Sequence, residues 1–194
     1  MIDYIILFLG WVIYFFIHSM LASDHVKDQF IAVGRISAKR YRMVYSVISV
    51  VGLFGILALQ ILLQSFSLYP SSKTSMFIGL VIATYGLLVL KKSFRFISVS
   101  SFLGLKEEAA ARLIKEGLHK KVRHPIYTGT ILIVIGAVVF TPTDLMLVSA
   151  LSILAYLPVG IMLEEEKLIK EYGNEYLVYR KTTPAIFPKI KSLF

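Results

Sequence analysis

The sequence predicts an all-α membrane protein with five transmembrane helices, on the strength of its composition, its apolar runs and its charge distribution. Of its 194 residues, 57% are hydrophobic and 17% are charged, whereas soluble domains carry about 25% charged residues. Helices cross a bilayer with roughly 17–25 apolar residues, and a lipid-exposed backbone must satisfy its own hydrogen bonds. We therefore expect one polytopic domain over residues 1–194, with helical spans at about 2–21, 43–63, 76–90, 126–140 and 145–163.

The basic residues alternate from one connection to the next. Twenty of the 21 Lys and Arg side chains lie in residues 22–42, 91–125 and 164–194, while the connection 64–75 carries only Lys73. Cytoplasmic loops collect Lys and Arg, so we predict an N-terminus outside the cell and a cytoplasmic C-terminus. This distribution also explains the net charge of +9 without a nucleic-acid partner.

The first span is predicted to be retained, because Asp3 is the only charged side chain near its start and a signal peptide begins with basic residues. His18 lies inside this span, and we expect it to be hydrogen-bonded to a neighbouring helix rather than functional. The chain has no cysteine, which excludes disulfides and thiolate ligands. It also has no H-E-x-x-H, G-x-G-x-x-G or P-loop pattern, so neither a metal site nor a Rossmann nucleotide site is predicted.

A cytoplasmic segment separates the third and fourth spans. Residues 96–105 are apolar but short, as expected of a segment that lies in the membrane interface. Residues 107–117 predict a helix, since they are rich in alanine, begin with glutamates and end at Gly117. Pro125 suits the first turn of the fourth helix, where its missing N–H has no partner to lose. After the turn at 141–144, Asp144 is a possible cap for the fifth helix.

The fourth and fifth spans form a hairpin that brings two polar clusters together. Its arms rise about 22 Å and 28 Å at about 1.5 Å per residue, so Glu164 and Glu165 return to the membrane face of Arg123 and His124. Taken separately, the basic pair could anchor to headgroups and the acids could be a solvated face of an amphipathic helix continuing through residue 181. Together they complement a zwitterionic or cationic ligand, because Arg and His bind carboxylates and Glu accepts from ammonium or hydroxyl groups.

Two segments, GLHKKVRHPIYTG and LEEEKLIKEYGNEYLVYRKTTP, resemble the isoprenylcysteine carboxyl methyltransferase family. The shared pattern is Arg-His-Pro-x-Tyr, an apolar hairpin, and then a Glu pair followed by spaced Leu, Gly and aromatic residues. The resemblance covers roughly residues 104–188. It implies a prokaryotic integral-membrane methyltransferase in the cell membrane, with S-adenosylmethionine held near the cytoplasmic face by this half of the chain.

The resemblance also implies the residues of the site. Arg123 and His124 are the catalytic candidates, with Arg123 orienting an acceptor carboxylate. An amine or thiol acceptor would instead need a base, for which His119 and His124 are the nearest candidates. The residues implied to bind the cofactor are Leu113, Ile114, His119, His124, Pro125, Tyr127, Glu164 and Glu165.

The methyl acceptor is less well defined by the resemblance. Eukaryotic members place an Arg near the substrate carboxylate one turn before the Glu pair, and Gly160 occupies that place here. The expected acceptor is a lipophilic molecule that arrives through membrane lipid, with the carboxylate of a prenylcysteine-like substrate as the first expectation. A phospholipid amine or a small thiol is the alternative within the enzyme class. A non-catalytic lipid-binding membrane subunit is the alternative of another class.

Overall fold

The structure, a computed structural model, describes residues 1–34, 36–95 and 112–189, and these fold almost entirely into helices. The α-helices of this part of the chain are α1 Ile2–Ala22, α2 Asp24–Gly34, α3 Ala38–Leu62, α4 Lys73–Ser93, α5 Pro125–Phe140, α6 Asp144–Tyr172 and α7 Asn174–Thr182. A 3-10 helix, Gly117–Lys120, precedes α5. No strand occurs among the described residues, where Ser67 and Thr143 form an isolated antiparallel bridge. The all-α prediction is confirmed.

Four helices, α1, α3, α4 and α6, are long and apolar enough to cross a membrane, with 21, 25, 21 and 29 residues. The apolar α5 has 16 residues and rises about 24 Å, less than the roughly 30 Å of a hydrocarbon core. These helices are those expected of an integral membrane protein. Five complete crossings and the orientation of the termini stay predictions.

The segment between α4 and α5 departs from its prediction. Residues 96–105 and the first part of the predicted helix 107–117 lie outside the described residues. Residues 112–116 are described and are not helical, and Gly117 begins a 3-10 helix with φ of 60° instead of ending an α-helix. The helix prediction is therefore wrong over 112–117. In this stretch, Lys115 Nζ lies 2.7 Å from Glu175 Oε1 in α7.

The described residues form two compact units. One contains residues 1–34, 36–68 and 143–153, and the other contains 69–95, 112–142 and 154–189. The long helix α6 contributes its beginning to the first unit and its remainder to the second. All of the predicted site residues lie in the second unit.

A hydrogen-bonded chain joins three helices in the apolar core of the first unit. Trp11 Nε1 in α1 donates to Ser149 Oγ in α6 at 2.8 Å, and Ser149 Oγ donates to Gln60 Oε1 in α3 at 2.6 Å. Polar groups in lipid are favourable only when paired, so this chain fixes how the three helices face one another. The surrounding core contains Leu7, Ile56 and Leu145.

His18 is bonded to a neighbouring helix, as the sequence predicts. Its Nδ1 lies 3.1 Å from Ser49 Oγ and its Nε2 lies 3.1 Å from the Tyr45 hydroxyl, both in α3. The Tyr14 ring stacks against the imidazole with centroids 5.8 Å apart. These contacts satisfy a polar side chain that would otherwise face lipid.

The turn before α6 uses a different cap from the predicted Asp144. Thr143 caps the helix, because its Oγ1 accepts from the Met146 amide at 3.2 Å. Asp144 instead contacts the connection between α3 and α4 and helix α1, with Oδ1 accepting from the Phe66 amide at 3.0 Å and Oδ2 accepting from the Tyr4 hydroxyl at 2.7 Å. The prediction misses by one residue because both side chains can accept from main-chain amides.

The second unit is built on a close contact between α4 and α5. A Cβ added at Gly79 would lie 2.7 Å from the carbonyl oxygen of Gly136, and one added at Gly86 would lie 2.8 Å from that of Gly129. The two backbones therefore touch at two levels along antiparallel helices. Small residues allow such approach in membranes, where packing rather than water exclusion associates helices.

Replacing Gly136 by alanine should destabilise this helix pair. The added Cβ would lie 2.5 Å from the Ala83 main-chain nitrogen, and overpacking of this kind costs about 1–3 kcal/mol. Thermal unfolding of the detergent-purified protein should show a lowered Tm. Gly55→Ala is the matched control, because no atom lies within 4 Å of its added Cβ and alanine favours helix. An equal loss of stability in both variants would contradict the close contact.

Candidate functional site

Arg123 links α6 to the segment that follows α7. Its Nε and Nη2 donate to Glu165 Oε1 at 2.9 Å and 2.6 Å. Its Nη1 donates to the carbonyl oxygens of Arg180, at 3.0 Å, and Thr183. The Arg123 side chain is 11% exposed. Its charge is therefore balanced by Glu165, and its remaining donors are satisfied by backbone carbonyls.

His124 lies between two carboxylates. Its Nε2 is 3.0 Å from Glu165 Oε1 and its Nδ1 is 3.5 Å from Glu164 Oε2. Burial lowers the pKa of His124, but the hydrogen bonds and charges of Glu164 and Glu165 outweigh burial and raise this pKa overall. Only the imidazolium form has N–H groups on both ring nitrogens, so the protonated ring is the form that matches both contacts.

The two glutamates differ in their surroundings. The Glu165 side chain is 12% exposed, and its Oε2 also lies 3.5 Å from Arg180 Nη1. The Glu164 side chain is 46% exposed and contacts His124. Glu165 is thus committed to neighbouring cations, whereas Glu164 presents carboxylate oxygen to an incoming ligand. The prediction that these acids are mid-helix is confirmed, because α6 continues to Tyr172.

The backbone after α7 is hydrogen-bonded to the start of α5. The amides of Arg123 and His124 donate to the carbonyl oxygens of residues 184 and 185 at 2.8 Å and 2.9 Å. Thr128 Oγ1 donates to the carbonyl oxygen of residue 186 at 2.8 Å. We call residues 183–186 the C-terminal strap. It contacts the start of α5 through main-chain carbonyls. No side-chain motif in the sequence therefore predicts this contact.

The helix predicted to continue past the glutamates is interrupted at Gly173. This glycine has φ of 54° and ψ of −128°, a backbone conformation that side chains with a Cβ rarely adopt. The chain therefore turns between α6 and α7, and the prediction of one continuous helix is wrong. The turn buries Tyr176 and Tyr179. Burial raises the pKa of Tyr179 to about 12, so its hydroxyl stays protonated and donates to the His119 carbonyl at 2.5 Å.

Tyr127 and Gly160 meet between α5 and α6. A Cβ added at Gly160 would lie 3.1 Å from the Tyr127 hydroxyl oxygen and 3.3 Å from its ring. Gly160 stands where eukaryotic members of the resembling family carry an arginine. The Tyr127 side chain fills the space beside it. Pro125 begins α5 and is buried, as expected for this position.

His119 has a different environment from His124. Its Nδ1 lies 3.3 Å from the carbonyl oxygen of Arg123, and since a carbonyl can only accept, this contact places the proton of the neutral ring on Nδ1. Its Nε2 is buried and has no hydrogen-bond partner within the described part of the chain. Burial lowers the pKa of His119, and the carbonyls of Arg123 and Ser93 oppose this shift only in part.

The structure brings most of the predicted site residues together. Arg123, His124 and the two glutamates form one contact network. Leu113 and Ile114 are half-buried in the non-helical stretch before Gly117. No polar contact among the described residues joins these two apolar side chains to the glutamates, and their stretch is held against α7 by the Lys115–Glu175 ion pair.

Comparison with known proteins identifies the family of this chain. Residues 6–187 match the protein family described as NnrU protein. The chain belongs to the NnrU family. The kinship with prokaryotic membrane methyltransferases of the isoprenylcysteine carboxyl methyltransferase type, predicted from the two motifs, is confirmed. No solved structure matches the chain significantly.

Curated relatives of this NnrU family chain include two methyltransferases. Methanethiol S-methyltransferase 1 of Bradyrhizobium diazoefficiens is 37% identical over 95 residues, which are 49% of this chain and 33% of the relative. Methanethiol S-methyltransferase of Crocosphaera subtropica is 32% identical over 85 residues, 44% of this chain and 32% of the relative. The matched region thus spans about a third of the length of these relatives.

Glu165→Gln should destabilise the second unit far more than Glu164→Gln. The first change leaves Arg123 and His124 without their shared anion, and breaking a buried ion pair costs about 3 kcal/mol or more. The second removes a half-exposed carboxylate with one contact, for which a change within about 0.5 kcal/mol is expected. Equilibrium unfolding in detergent compares the two variants. Equal losses would show that Glu165 does not anchor the network.

Protonation of His124 should make stability depend on pH from about 6.5 upward, because its pKa is raised in the folded state. A folded-state pKa raised above the unfolded value of about 6.5 stabilises the fold fully below that value and ceases to do so as pH rises through the folded pKa. The Tm of the parent should therefore fall over this window. His124→Gln should lack this part of the fall while retaining contributions from other groups. A parallel decline in both proteins would assign the effect elsewhere.

Proposed function

We propose that this chain is a membrane methyltransferase that uses S-adenosylmethionine and methylates a small thiol. The observation that carries the proposal is the cluster of Arg123, His124, Glu164 and Glu165 at the start of α5 and within α6. Its position at one end of an apolar helical hairpin suits a soluble methyl donor and an acceptor that partitions into lipid. The curated relatives named methanethiol S-methyltransferases support the thiol as acceptor.

The residues present fit the methyl donor. Glu164 has a half-exposed carboxylate beside His124, and carboxylates accept hydrogen bonds from ammonium and ribose hydroxyl groups. We propose that Glu164 binds the cofactor directly and that the other predicted residues complete the site: Leu113, Ile114, His119, His124, Pro125, Tyr127 and Glu165. When bound, S-adenosylmethionine supplies an electrophilic methyl group on a sulfonium.

Arg123 is better suited to positioning than to holding an acceptor carboxylate. Its guanidinium donates to Glu165 and to two backbone carbonyls, so binding an acceptor would require breaking these contacts. Gly160 adds no cation, and its space is taken by Tyr127. These two features favour a neutral acceptor over the prenylcysteine carboxylate that was the first expectation from the resemblance.

A thiol acceptor fits the remaining chemistry. A thiol is small and apolar enough to enter from lipid, and it becomes a strong nucleophile when it loses its proton. The chain then has three tasks: to orient donor and acceptor, to exclude water and to receive one proton. The buried network around Arg123 supports the first two by fixing the start of α5 against α6.

Binding of S-adenosylhomocysteine to the detergent-purified protein tests the cofactor assignment. Glu164→Gln should weaken binding by roughly 10-fold or more, because a hydrogen bond to a charged group contributes about 1.5–3 kcal/mol, while the Tm stays near that of the parent. Glu166→Gln is the matched control, since Glu166 is an exposed acid two residues further along α6. Titration calorimetry measures both. No binding to the parent at millimolar ligand would reject the cofactor and leave the lipid-binding subunit as the interpretation.

Transfer of a radiolabelled methyl group tests the acceptor. The donor is offered with methanethiol, a prenylcysteine or phosphatidylethanolamine to the same preparation. We expect label in the volatile thioether and not in the other two products. Label in the prenylcysteine ester would reject the thiol assignment while retaining the enzyme class, and label in phosphatidylethanolamine would identify an amine acceptor.

A further inference from the structure

We propose that Nε2 of His119 is the base that accepts the proton of the thiol. This inference rests on the proposed function and adds the residue that makes a neutral thiol reactive. Two histidines lie near the Glu pair, and their contacts assign them different roles. The structure distinguishes between them where the sequence leaves both as candidates.

His124 is unsuited to the role of base. Its two ring nitrogens face Glu165 and Glu164 at 3.0 Å and 3.5 Å, and both contacts are satisfied when the ring carries two protons. A ring in that state has no lone pair with which to remove a proton. Its side chain is also 2% exposed, so a ligand would have to displace a carboxylate to reach it.

His119 has the required lone pair. The Arg123 carbonyl accepts from Nδ1 at 3.3 Å and so leaves Nε2 unprotonated. The Ser93 carbonyl can only accept from the ring and so favours its protonated form, an influence smaller than that of burial. Within the described residues, Nε2 is a buried acceptor without a donor, a state that costs about 1–3 kcal/mol when nothing compensates. A ligand S–H group is a donor of the required kind.

The groups around His119 keep it neutral. From α6, the negative charge of Glu164 favours the protonated ring. From the start of α5, the charge of His124 disfavours it. Burial also disfavours it and is the largest influence. From α7, Tyr179 donates to the main-chain carbonyl of His119 and not to its ring. From the end of α4, Ser93 offers a carbonyl. Burial thus lowers the pKa of His119, and the ring is a free base at neutral pH.

The proposed step balances in atoms and charge. The S–H bond of the thiol breaks as its proton forms a bond to Nε2 of His119, giving an imidazolium. The thiolate sulfur forms a new bond to the methyl carbon, and the bond from that carbon to the sulfonium breaks with its electron pair remaining on the departing sulfur. The products are a thioether, S-adenosylhomocysteine and protonated His119, which returns its proton to solvent.

One variant separates the base from the structural contact. Asparagine can place an N–H near the position of Nδ1, so His119→Asn should keep the bond to the Arg123 carbonyl and lose Nε2. We expect His119→Asn, at saturating methyl donor, to methylate alkyl thiols roughly 100-fold more slowly than the parent at pH 7, since general bases contribute about 10²–10⁴-fold. The deficit should shrink as pH rises and as the thiol becomes more acidic.

A spectroscopic measurement on the parent gives a readout independent of turnover. With ¹⁵N-labelled histidine in detergent, the His119 signals should show a proton on Nδ1 and a bare Nε2 at pH 7. Signals for a proton on Nε2, or for a doubly protonated ring, would overturn the proposal. A rate deficit in His119→Asn that is the same for alkyl thiols and for more acidic thiols would also overturn it, because such a loss is structural.

Failure of this inference is distinguishable from failure of the proposed function. If the parent neither binds S-adenosylhomocysteine nor methylates any thiol, the function itself is wrong. If the parent does both and His119→Asn is as fast as the parent, the function stands and another group takes the proton. Both results are obtained from the same preparation and the same set of thiols.

Discussion

The ion pair between Arg123 and Glu165 is the contact on which the candidate site depends. It joins the loop before α5 to the last third of α6 at 2.6 Å, and the same guanidinium donates to carbonyl oxygens in the last turn of α7 and just after it. A guanidinium keeps its charge at any accessible pH, so the anion beside it cannot be removed without leaving a largely buried cation. His124 and the C-terminal strap both contact this pair, and Glu164 contacts His124.

The two histidines near this pair have oppositely shifted pKa values. Near Arg123, the acids Glu164 and Glu165 supply negative charge to His124 and raise its pKa. Five residues earlier in the chain, His119 meets backbone carbonyls and burial, which lower its pKa. Two residues of one type are therefore given opposite pKa shifts, His119 by burial and His124 by its charged partners. Such separation is what acid–base chemistry at neutral pH requires.

The sequence predicts the hairpin and the meeting of Arg123 and His124 with the glutamates, because helical rise and the length of apolar runs determine where a chain returns to the membrane face. It does not predict the C-terminal strap, whose contribution is main-chain carbonyls with no side-chain signature. Nor does it predict the break at Gly173, since the surrounding tyrosines keep helical spacing on both sides. The helix expected over 107–117 fails in its described part, where Gly117 adopts a positive φ of 60° and begins a 3-10 helix instead of ending an α-helix.

Charge is also the physical limit on what the site can accept. Glu164 is the half-exposed acid of the network, and an anionic acceptor placed beside it would be repelled unless a further cation were supplied. Arg123 is already paired, and Gly160 with Tyr127 leaves no space for the arginine found in relatives at that position. A neutral thiol meets no such repulsion on approach, and its negative charge appears only as its proton leaves. Under the proposed function, the paired charges and the buried Nε2 of His119 would therefore favour an acceptor that becomes anionic after it has bound.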